Sequence, residues 1–224
     1  EYPMFDTSNF TLENKEAVPL FPTFVWSMQL KRKDYEEINE KIRNKLKELT
    51  ADKPVLKPGK KWQTEQELHK LEEFQELTAF IYDATKGVLD FLKVVYDDFE
   101  ITGCWANISA IRSGHIHHTH PNNYLSGVYY VQADKGANTI QFDDPRPQTN
   151  IIKPTVTELS AENTRSAVIT VEEGTLVMFP AWLQHSVPPN MSDRERISVA
   201  FNIMFTSFSE KMSRPQWQGN LAFE

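Results

Sequence analysis

A succession of short β-prone runs in the second half of the chain constrains the fold more than any other feature. From about Thr102 onward, turn residues separate the runs CWANISAI, SGVYYVQ, TIQF, SAVITV, TLVMFPA and RISVAFNIMF. Several short strands divided by turns are typical of a β-sandwich or a β-barrel. The pattern therefore predicts a β core over about residues 101–208.

The first hundred residues have the periodicity of helices instead. Thr64 and Glu67 have the spacing of a capping box, and the apolar periodicity after them predicts a helix over residues 68–95, which Gly87 could interrupt. The apolar residues 20–28 include a proline and suit an edge strand. An earlier helix is predicted from apolar residues spaced by three or four: Tyr35, Ile38, Ile42, Leu46 and Leu49.

Both halves are predicted to form a single domain, residues 1–224. A chain of 224 residues can form one large domain, and its 40% hydrophobic and 12% aromatic content supports a sizeable core. We predict a mainly β protein of α+β character. In it, helical support from about residues 1–100 packs on strands from about residues 101–208, and residues 209–224 form a C-terminal tail.

Charge and cysteine content narrow the function and the cellular setting. The net charge of −7 argues against a nucleic-acid-binding surface. No apolar run approaches the roughly 20 residues that a membrane-spanning helix needs, so no membrane association is predicted. The single cysteine, Cys104, precludes an internal disulfide and suits a reducing compartment, so we expect a cytoplasmic protein.

Four of the six histidines lie in the stretch GHIHHTHPNN, residues 114–123. Residues i and i+2 of an extended strand face the same way, so His118 and His120 are one candidate pair of metal ligands, and His115 and His117 are another. The first pair directly precedes the apolar run LSGVYYV, which places it at a strand end. Taken alone, such a pair is equally consistent with a polar loop rich in histidine.

His185 is the candidate third ligand. It lies in GTLVMFPAWLQHSVPPN, where a glycine turn, a buried strand and a second strand could bring it back across a barrel. Ferrous iron in many oxygenases is held on one face by three protein ligands, which leaves positions for a cosubstrate and oxygen. Taken alone, His185 could equally be a hydrogen-bonded histidine of the core or rim.

Arg196 and Ser198 open the apolar strand ISVAFNIMF and, at i and i+2, face the same way. A guanidinium can bind a carboxylate through two hydrogen bonds, and a nearby hydroxyl can add another. An inward-facing Arg196 needs an anionic partner, whereas an Arg196 on an edge strand could pair with Asp193 or Glu195. An HxH pair, a distal histidine and an RxS pair together favour a metal site that also binds a carboxylate.

This combination resembles the 2-oxoglutarate/Fe(II)-dependent oxygenase superfamily, and more narrowly a family of oxygenases of marine bacteria and their phages. The resemblance covers about residues 20–205. It implies a double-stranded β-helix (jelly-roll) core with an N-terminal helical support layer. The matching segments are WANIS (residues 105–109), HTHPNNYLSGVYYV (118–131), FDDPR (142–146), and GTLVMFPAWLQHSVPPN with RISVAFN (174–202).

The resemblance also implies roles for individual residues. His118 and His185 would bind iron, and His120 stands where most of the superfamily has Asp or Glu. Arg196, assisted by Ser198, would bind the distal carboxylate of 2-oxoglutarate. Three neutral imidazoles leave the iron site at +2 rather than +1, and dianionic 2-oxoglutarate would bring the complex near neutrality.

The third iron ligand has two alternatives to His120. Asp143 or Asp144 in the FDDPR segment could supply a carboxylate, or a shifted register could use His115 and His117. Further candidates line the expected site with less support. They are Asn107 and Tyr130 for the cosubstrate, and Arg146, Tyr124 and Trp182 for the substrate.

The expected activity is that of an Fe(II)- and 2-oxoglutarate-dependent dioxygenase. With O2, such an enzyme would hydroxylate a substrate and release succinate and CO2. The substrate would be a protein side chain, such as a prolyl residue, or a small metabolite. Two other classes stay open: a cupin-like three-His metalloenzyme that does not use 2-oxoglutarate, and a non-catalytic jelly-roll binding module. Neither the substrate nor the oligomeric state follows from the sequence.

Overall fold

The computed structural model describes residues 17, 18 and 20–209. These residues form three helices, α1 (Arg32–Leu49), α2 (Gln75–Phe91) and α3 (Thr206–Ser209). They also form ten strands: β1 (Trp26–Gln29), β2 (Lys61–Gln63), β3 (Phe99–Ser109), β4 (His115–His118), β5 (Leu125–Gln132), β6 (Thr139–Asp143), β7 (Ser166–Thr170), β8 (Thr175–Pro180), β9 (His185–Val187) and β10 (Arg196–Phe205).

The strands form two antiparallel sheets. The larger sheet has the order β1-β8-β5-β10-β3-β2, and the smaller has the order β4-β9-β6-β7. Neighbours in these orders are seldom consecutive in sequence, so the chain crosses repeatedly between the sheets. The mainly β core predicted from the turn-separated runs is confirmed.

The two long helices, α1 and α2, cover one face of the larger sheet. Successive side chains of a strand point to opposite faces, so alternate residues of β5 and β10 meet the helices. Tyr129, Val199 and Phe201 are almost fully buried there, in one cluster with Ile42 of α1 and Ile81 of α2. Each such side chain contributes roughly 1.5–3 kcal/mol when it is fully buried.

One buried polar pair links α1 to this face of the sheet. Asn39 of α1 is fully buried, and its Nδ2 donates a hydrogen bond to the Val131 carbonyl at 3.1 Å. Its Oδ1 accepts a hydrogen bond from the Tyr129 hydroxyl at 2.9 Å. Because both ends of the amide are satisfied, its burial does not carry the penalty of an unpaired polar group.

The opposite face of the larger sheet packs against the smaller sheet. Tyr130 of β5 and Phe179 of β8 meet Phe142 of β6 there, and the Phe142 and Phe179 rings lie edge to face at 5.0 Å. This second cluster fills only part of the space between the sheets. The remainder forms the cavity described below.

The helical predictions hold for α1 and need correction for the second helix. Thr64 does not cap a helix, because its hydroxyl accepts a hydrogen bond from the Ala106 amide of β3 at 3.0 Å. Two single turns of 3₁₀ helix follow, separated by Leu71 in an extended conformation, and α2 begins only at Gln75. Gly87 lies within α2 without breaking it. The helix ends at Phe91, and Lys93 follows in the left-handed conformation that commonly terminates helices.

The first hundred residues also contribute two edge strands to the larger sheet. The strand predicted over residues 20–28 is confirmed at the edge of the sheet but begins later, at Trp26. Phe21, within the predicted range, has a positive φ of 56°, which is not a strand conformation. β2 is the other edge. Residues 1–16 and 210–224, which include nearly all of the predicted tail, lie outside the described residues. In the part of the chain that is described, no helix is long and apolar enough to cross a membrane.

Candidate metal centre and adjoining pocket

A pocket lies between the two sheets, with its walls formed mainly by β3, β5 and β10 on one side and by β4 and β9 on the other. On the larger sheet the lining residues are alternate residues that face away from the helices. Strand register aligns them in three rows across the strands: Lys61, Ser109 and Arg196; then Asn107, Ser198 and Tyr130; then Trp105, Ala200 and Val128.

Three histidines come together at the wall formed by the smaller sheet. His118 ends β4 and stands opposite His185 of β9 in the register of the two strands. His120 follows β4, and its backbone amide donates a hydrogen bond to the Ala181 carbonyl at 2.9 Å. Each of the three offers one ring nitrogen, and these nitrogens lie within 4.8 Å of one another. The group can therefore hold one metal ion through imidazole nitrogens.

Backbone carbonyls orient two of the three rings. His118 Nδ1 lies 2.8 Å from the Ile116 carbonyl, and His185 Nδ1 lies 3.0 Å from the Leu183 carbonyl. A carbonyl oxygen only accepts, so we assign the proton to Nδ1 in both rings, which leaves the Nε2 lone pair free. Metal-binding histidines usually have such a hydrogen bond from the second ring nitrogen.

Burial keeps these imidazoles neutral. Desolvation, followed by the neighbouring histidines, lowers the pKa of His120 to about 3. Desolvation likewise lowers the pKa of His185 to about 4, although the hydrogen bond to Leu183 opposes that change. The pKa of His118 is also lowered, mainly by burial. Neutral imidazoles are the form that binds a metal ion.

Arg196 is a buried cation without an anionic partner in the described part of the molecule. Its residue surface is only 4% exposed, and its Nη2 donates a long hydrogen bond of 3.4 Å to Ser109 Oγ. Nη1 has no hydrogen-bond partner among the described residues, and neither Asp193 nor Glu195 forms an ion pair with the guanidinium. Because an unpaired buried charge is costly, this arrangement favours an anionic ligand.

Three neighbours of Arg196 in the pocket are also polar. Asn107 Oδ1 is buried and has no hydrogen-bond partner within the described chain. Ser198 is 7% exposed, and its side chain lies between those of Asn107 and Tyr130 in the strand register. Burial raises the pKa of the Tyr130 hydroxyl well above its ordinary value, so Tyr130 stays neutral. These four predicted residues line one cavity together with the three histidines.

The three residues predicted to contact the substrate, Tyr124, Trp182 and Arg146, do not line this pocket. The Tyr124 ring packs on that of Phe205, with centroids 4.8 Å apart, beside the hydrophobic cluster between the helices and the larger sheet. Trp182 is 57% exposed. The guanidinium of Arg146 forms two hydrogen bonds with the Asp144 carboxylate, at 3.0 and 2.7 Å.

The alternative ligands of the third position do not belong to the group of side chains that can hold one metal ion. Asp143 Oδ2 is 3.1 Å from His117 Nε2, so these two side chains engage each other. Asp144 is engaged by Arg146. His115 lines the pocket, and its ring stacks on that of His118 with centroids 4.2 Å apart. His115 is nevertheless not in the group of candidate metal ligands, which among the described residues consists of His118, His120 and His185.

Sequence reasoning missed one lining residue of β2. Lys61 stands next to Ser109 in the register, and its half-buried side chain faces the pocket. A three-residue strand has no periodicity of its own, so the sequence carried no signal for it. Only the pairing with β3 reveals which way Lys61 points.

The fold and the site together define the class of protein to compare with. Two antiparallel sheets enclose a three-histidine group and a buried arginine. Residues 103–202 match the family model described as "Putative 2OG-Fe(II) oxygenase". This segment runs from β3 to β10 and contains every lining residue named above except Lys61. The resemblance to the 2-oxoglutarate/Fe(II) oxygenase superfamily is thereby confirmed. No curated protein matches the chain.

Solved structures of this superfamily have the same fold. HygX from Streptomyces hygroscopicus, solved with nickel, 2-oxoglutarate and hygromycin B, is 15% identical with a TM-score of 0.55, covering 82% of this chain and 84% of its own. A Pseudomonas putida prolyl-4-hydroxylase is 14% identical with a TM-score of 0.56, covering 82% and 93%.

A third similar structure is a prolyl hydroxylase from Trichoplax adhaerens, in complex with a hypoxia inducible factor peptide fragment. It is 11% identical with a TM-score of 0.58, covering 85% of this chain and 87% of its own. The predicted double-stranded β-helix core with helical support is confirmed by these structures. At these identities the similarity extends to the fold alone.

Proposed function

We propose that the protein is an Fe(II)- and 2-oxoglutarate-dependent dioxygenase that hydroxylates its substrate. The observation that carries this proposal is the buried, unpaired guanidinium of Arg196 in the same pocket as the three-histidine group. A metal centre alone needs no buried arginine. An arginine without an acidic partner, facing a metal centre, fits a ligand with carboxylates at both ends.

The three histidines would hold the iron. His118 and His185 present Nε2 to the centre because their Nδ1 atoms are engaged by backbone carbonyls. His120 would be the third ligand, in place of a carboxylate. With three neutral ligands the Fe(II) site has a charge of +2, which the dianionic cosubstrate offsets.

The larger sheet would hold the cosubstrate. Arg196 binds the distal carboxylate of 2-oxoglutarate through paired hydrogen bonds, and Ser198 adds a hydroxyl from the same face of β10. Asn107 and Tyr130 hydrogen-bond the remaining oxygens. The apolar side chains Val128, Ile140 and Phe179 restrict water around the site.

When bound, Fe(II) supplies the oxidising chemistry, in which O2 and 2-oxoglutarate give succinate, CO2 and one oxygen atom for the substrate. The protein positions the reactants and excludes water. A peptide-bound prolyl residue or a small molecule is the proposed substrate. In support, the similar structures include prolyl hydroxylases and HygX with hygromycin B.

An anaerobic titration of Fe(II) and 2-oxoglutarate tests the proposal, with the visible metal-to-ligand charge-transfer band as readout. The wild type should give the band. Arg196→Met should weaken 2-oxoglutarate binding by about 30-fold or more, because losing one partner of a buried charge pair costs at least about 2 kcal/mol. Iron affinity should not change.

Arg194→Met is the matched control. Arg194 lies two residues away, is exposed, and pairs with Asp134 at 2.6 Å, so its loss should leave the band unchanged. Equal 2-oxoglutarate affinity in wild type and Arg196→Met would contradict the role of Arg196. Iron binding without any band in the wild type would favour the cupin-like enzyme, and failure to bind iron would favour the binding module.

A further inference from the structure

The pocket is cationic although the protein as a whole is acidic. The chain has a net charge of −7, yet among the described residues no Asp or Glu lines the pocket, whereas Lys61 and Arg196 both do. A bound Fe(II) would add two further positive charges. One dianionic cosubstrate would offset the charge of the metal but not the charges of both cationic side chains, so the pocket with its cosubstrate would still be cationic.

Strand pairing fixes the position of Lys61 in the pocket. Its Cα is the partner of Ser109, which is in turn the partner of Arg196, so the three residues lie abreast on one face of the sheet. The Lys61 side chain lines the same cavity as His115 and His118, which belong to the smaller sheet. Lys61 therefore shares the pocket with the metal ligands, from the opposite wall.

No described residue forms a hydrogen bond or an ion pair with the Lys61 ammonium. Lysines of the helical layer have acidic partners instead. Lys41 Nζ lies 2.6 Å from Glu76 Oε1, and Lys45 Nζ lies 2.9 Å from Glu73 Oε1. Lys61 is also more buried than these two, and desolvation lowers its pKa. A half-buried ammonium with no acid beside it needs an external anion more than an exposed lysine does.

We propose that the substrate carries a carboxylate or a phosphate, and that Lys61 Nζ binds this group while the metal and Arg196 hold 2-oxoglutarate. This inference rests on the proposed function, since it assumes that the cosubstrate occupies Arg196. It makes Lys61 a residue that determines substrate specificity. Neutral analogues of the substrate would leave the ammonium unpaired and would bind less well.

Nuclear relaxation near bound Mn(II) tests this proposal without knowledge of the substrate. The protein is loaded with Mn(II) and 2-oxoglutarate, which do not turn over, and is titrated with inorganic phosphate or with ¹³C-labelled acetate. An anion bound beside Lys61 lies near the paramagnetic ion, so its ³¹P or ¹³C relaxation should be enhanced and should saturate. The anion that responds more strongly identifies the group the site prefers.

Lys61→Met and Lys60→Met form the matched pair of variants. Both remove one lysine charge, but Lys60 is exposed and precedes the strand. Lys61→Met should weaken anion binding by about tenfold or more, because a charge-assisted hydrogen bond is worth at least about 1.5 kcal/mol. Lys60→Met should bind the anion as the wild type does. Mn(II) affinity of both variants reports that the site has folded.

Three results would overturn the proposal. The wild type could show no enhancement with either anion, or Lys61→Met could show the same enhancement, which would indicate direct coordination to Mn(II). Alternatively, Lys61→Met could weaken 2-oxoglutarate binding tenfold in calorimetry, which would assign Lys61 to the cosubstrate. Failure of the wild type to bind 2-oxoglutarate would instead refute the proposed function, and Lys61-dependent anion binding to the Mn(II) protein would still be measurable.

Discussion

The two faces of the larger sheet use the same strands for different purposes. Towards the helices, β5 and β10 present side chains such as Tyr129, Val199 and Phe201, packed with little exposed surface. Towards the smaller sheet, the same two strands present residues of the opposite alternation, including Tyr130, Ser198 and Arg196, which line the pocket. Because side chains alternate along a strand, stability and chemistry are encoded in adjacent residues.

Polar groups are treated differently on the two faces. On the helix face, both ends of the buried Asn39 amide are hydrogen-bonded within the protein. On the pocket face, Arg196 Nη1 and Asn107 Oδ1 are buried without a partner in the described chain. His69 Nδ1, in the first 3₁₀ turn of the helical layer, is likewise buried without a partner among the described residues. Arg196 and Asn107 differ from it because both line the pocket, where unpaired polar atoms indicate that a ligand is expected.

The largest effect should come from the helix face. Phe201→Ala removes a ring that is 1% exposed and packed over Gly127 of the neighbouring strand, where an added Cβ would overlap it. We expect a loss of about 3–5 kcal/mol in the free energy of unfolding, measured by urea denaturation. Ser198→Ala, on the pocket face of the same strand, should change this free energy by less than about 1 kcal/mol.

A comparable loss from Ser198→Ala would break the comparison, since it would mean that the pocket face also stabilises the fold. A small loss from Phe201→Ala would mean that the helical layer can collapse into the space left by the ring.

The next effect concerns metal binding at the opposite wall of the pocket, which the smaller sheet forms. His120→Ala should weaken Mn(II) affinity by more than about 100-fold, because even partners that only orient a metal ligand contribute about 10–100-fold. The free energy of unfolding of the metal-free protein should change little. Calorimetry with Mn(II) measures the affinity, and urea denaturation measures the stability.

His117→Ala is the control for that measurement. His117 lies on β4 like His118, but its side chain is half exposed and engages Asp143. Its removal should change Mn(II) affinity by less than about threefold. If His117→Ala or Asp143→Asn weakened binding as much as expected for His120→Ala, the ligand set would be one of the alternatives that the sequence left open.

The pocket face was predictable where strand alternation determined it. Residues i and i+2 of an extended strand face the same way, so the common direction of Arg196 and Ser198 on β10 followed from the sequence. The pair HxH differs, because β4 ends at His118 and His120 reaches the same cavity from the segment after the strand. The directions of the Tyr124 and Trp182 side chains were not predictable, because both residues lie beside strand ends, where the turn determines which way a side chain points.

Tertiary contacts overrode local signals in the first hundred residues. Thr64 has the spacing of a helix cap, yet its hydroxyl binds the Ala106 amide of a strand some forty residues away in sequence. Pairing of β2 with β3 also determines the direction of Lys61. Neither contact has a local signature, so the start of α2 and the second cation of the pocket could not be read from the chain.

The smallest effect is a pH dependence to which the buried histidines of the pocket should contribute. An unfolded histidine has a pKa near 6.5, whereas burial lowers the pKa of His120 to about 3 and that of His185 to about 4. Below pH 6.5 the unfolded chain therefore binds more protons than the folded one, and stability falls as the pH falls towards these values. Above pH 6.5 both states are neutral and this contribution is constant.

The melting temperature of the metal-free protein should accordingly decrease between pH 7 and pH 5, and His120→Leu should make that decrease shallower by a few degrees, since about 1 kcal/mol corresponds to roughly 2–4 °C for a domain of this size. Subtracting the two profiles removes the contribution of carboxyl groups, which is common to both proteins. Identical slopes would mean that the His120 imidazole is better solvated than its position between the sheets implies. A shallower slope would assign part of the acid sensitivity to the histidines of the pocket, in contrast to apolar side chains on the helix face of the larger sheet, such as Val199 and Phe201, which do not titrate.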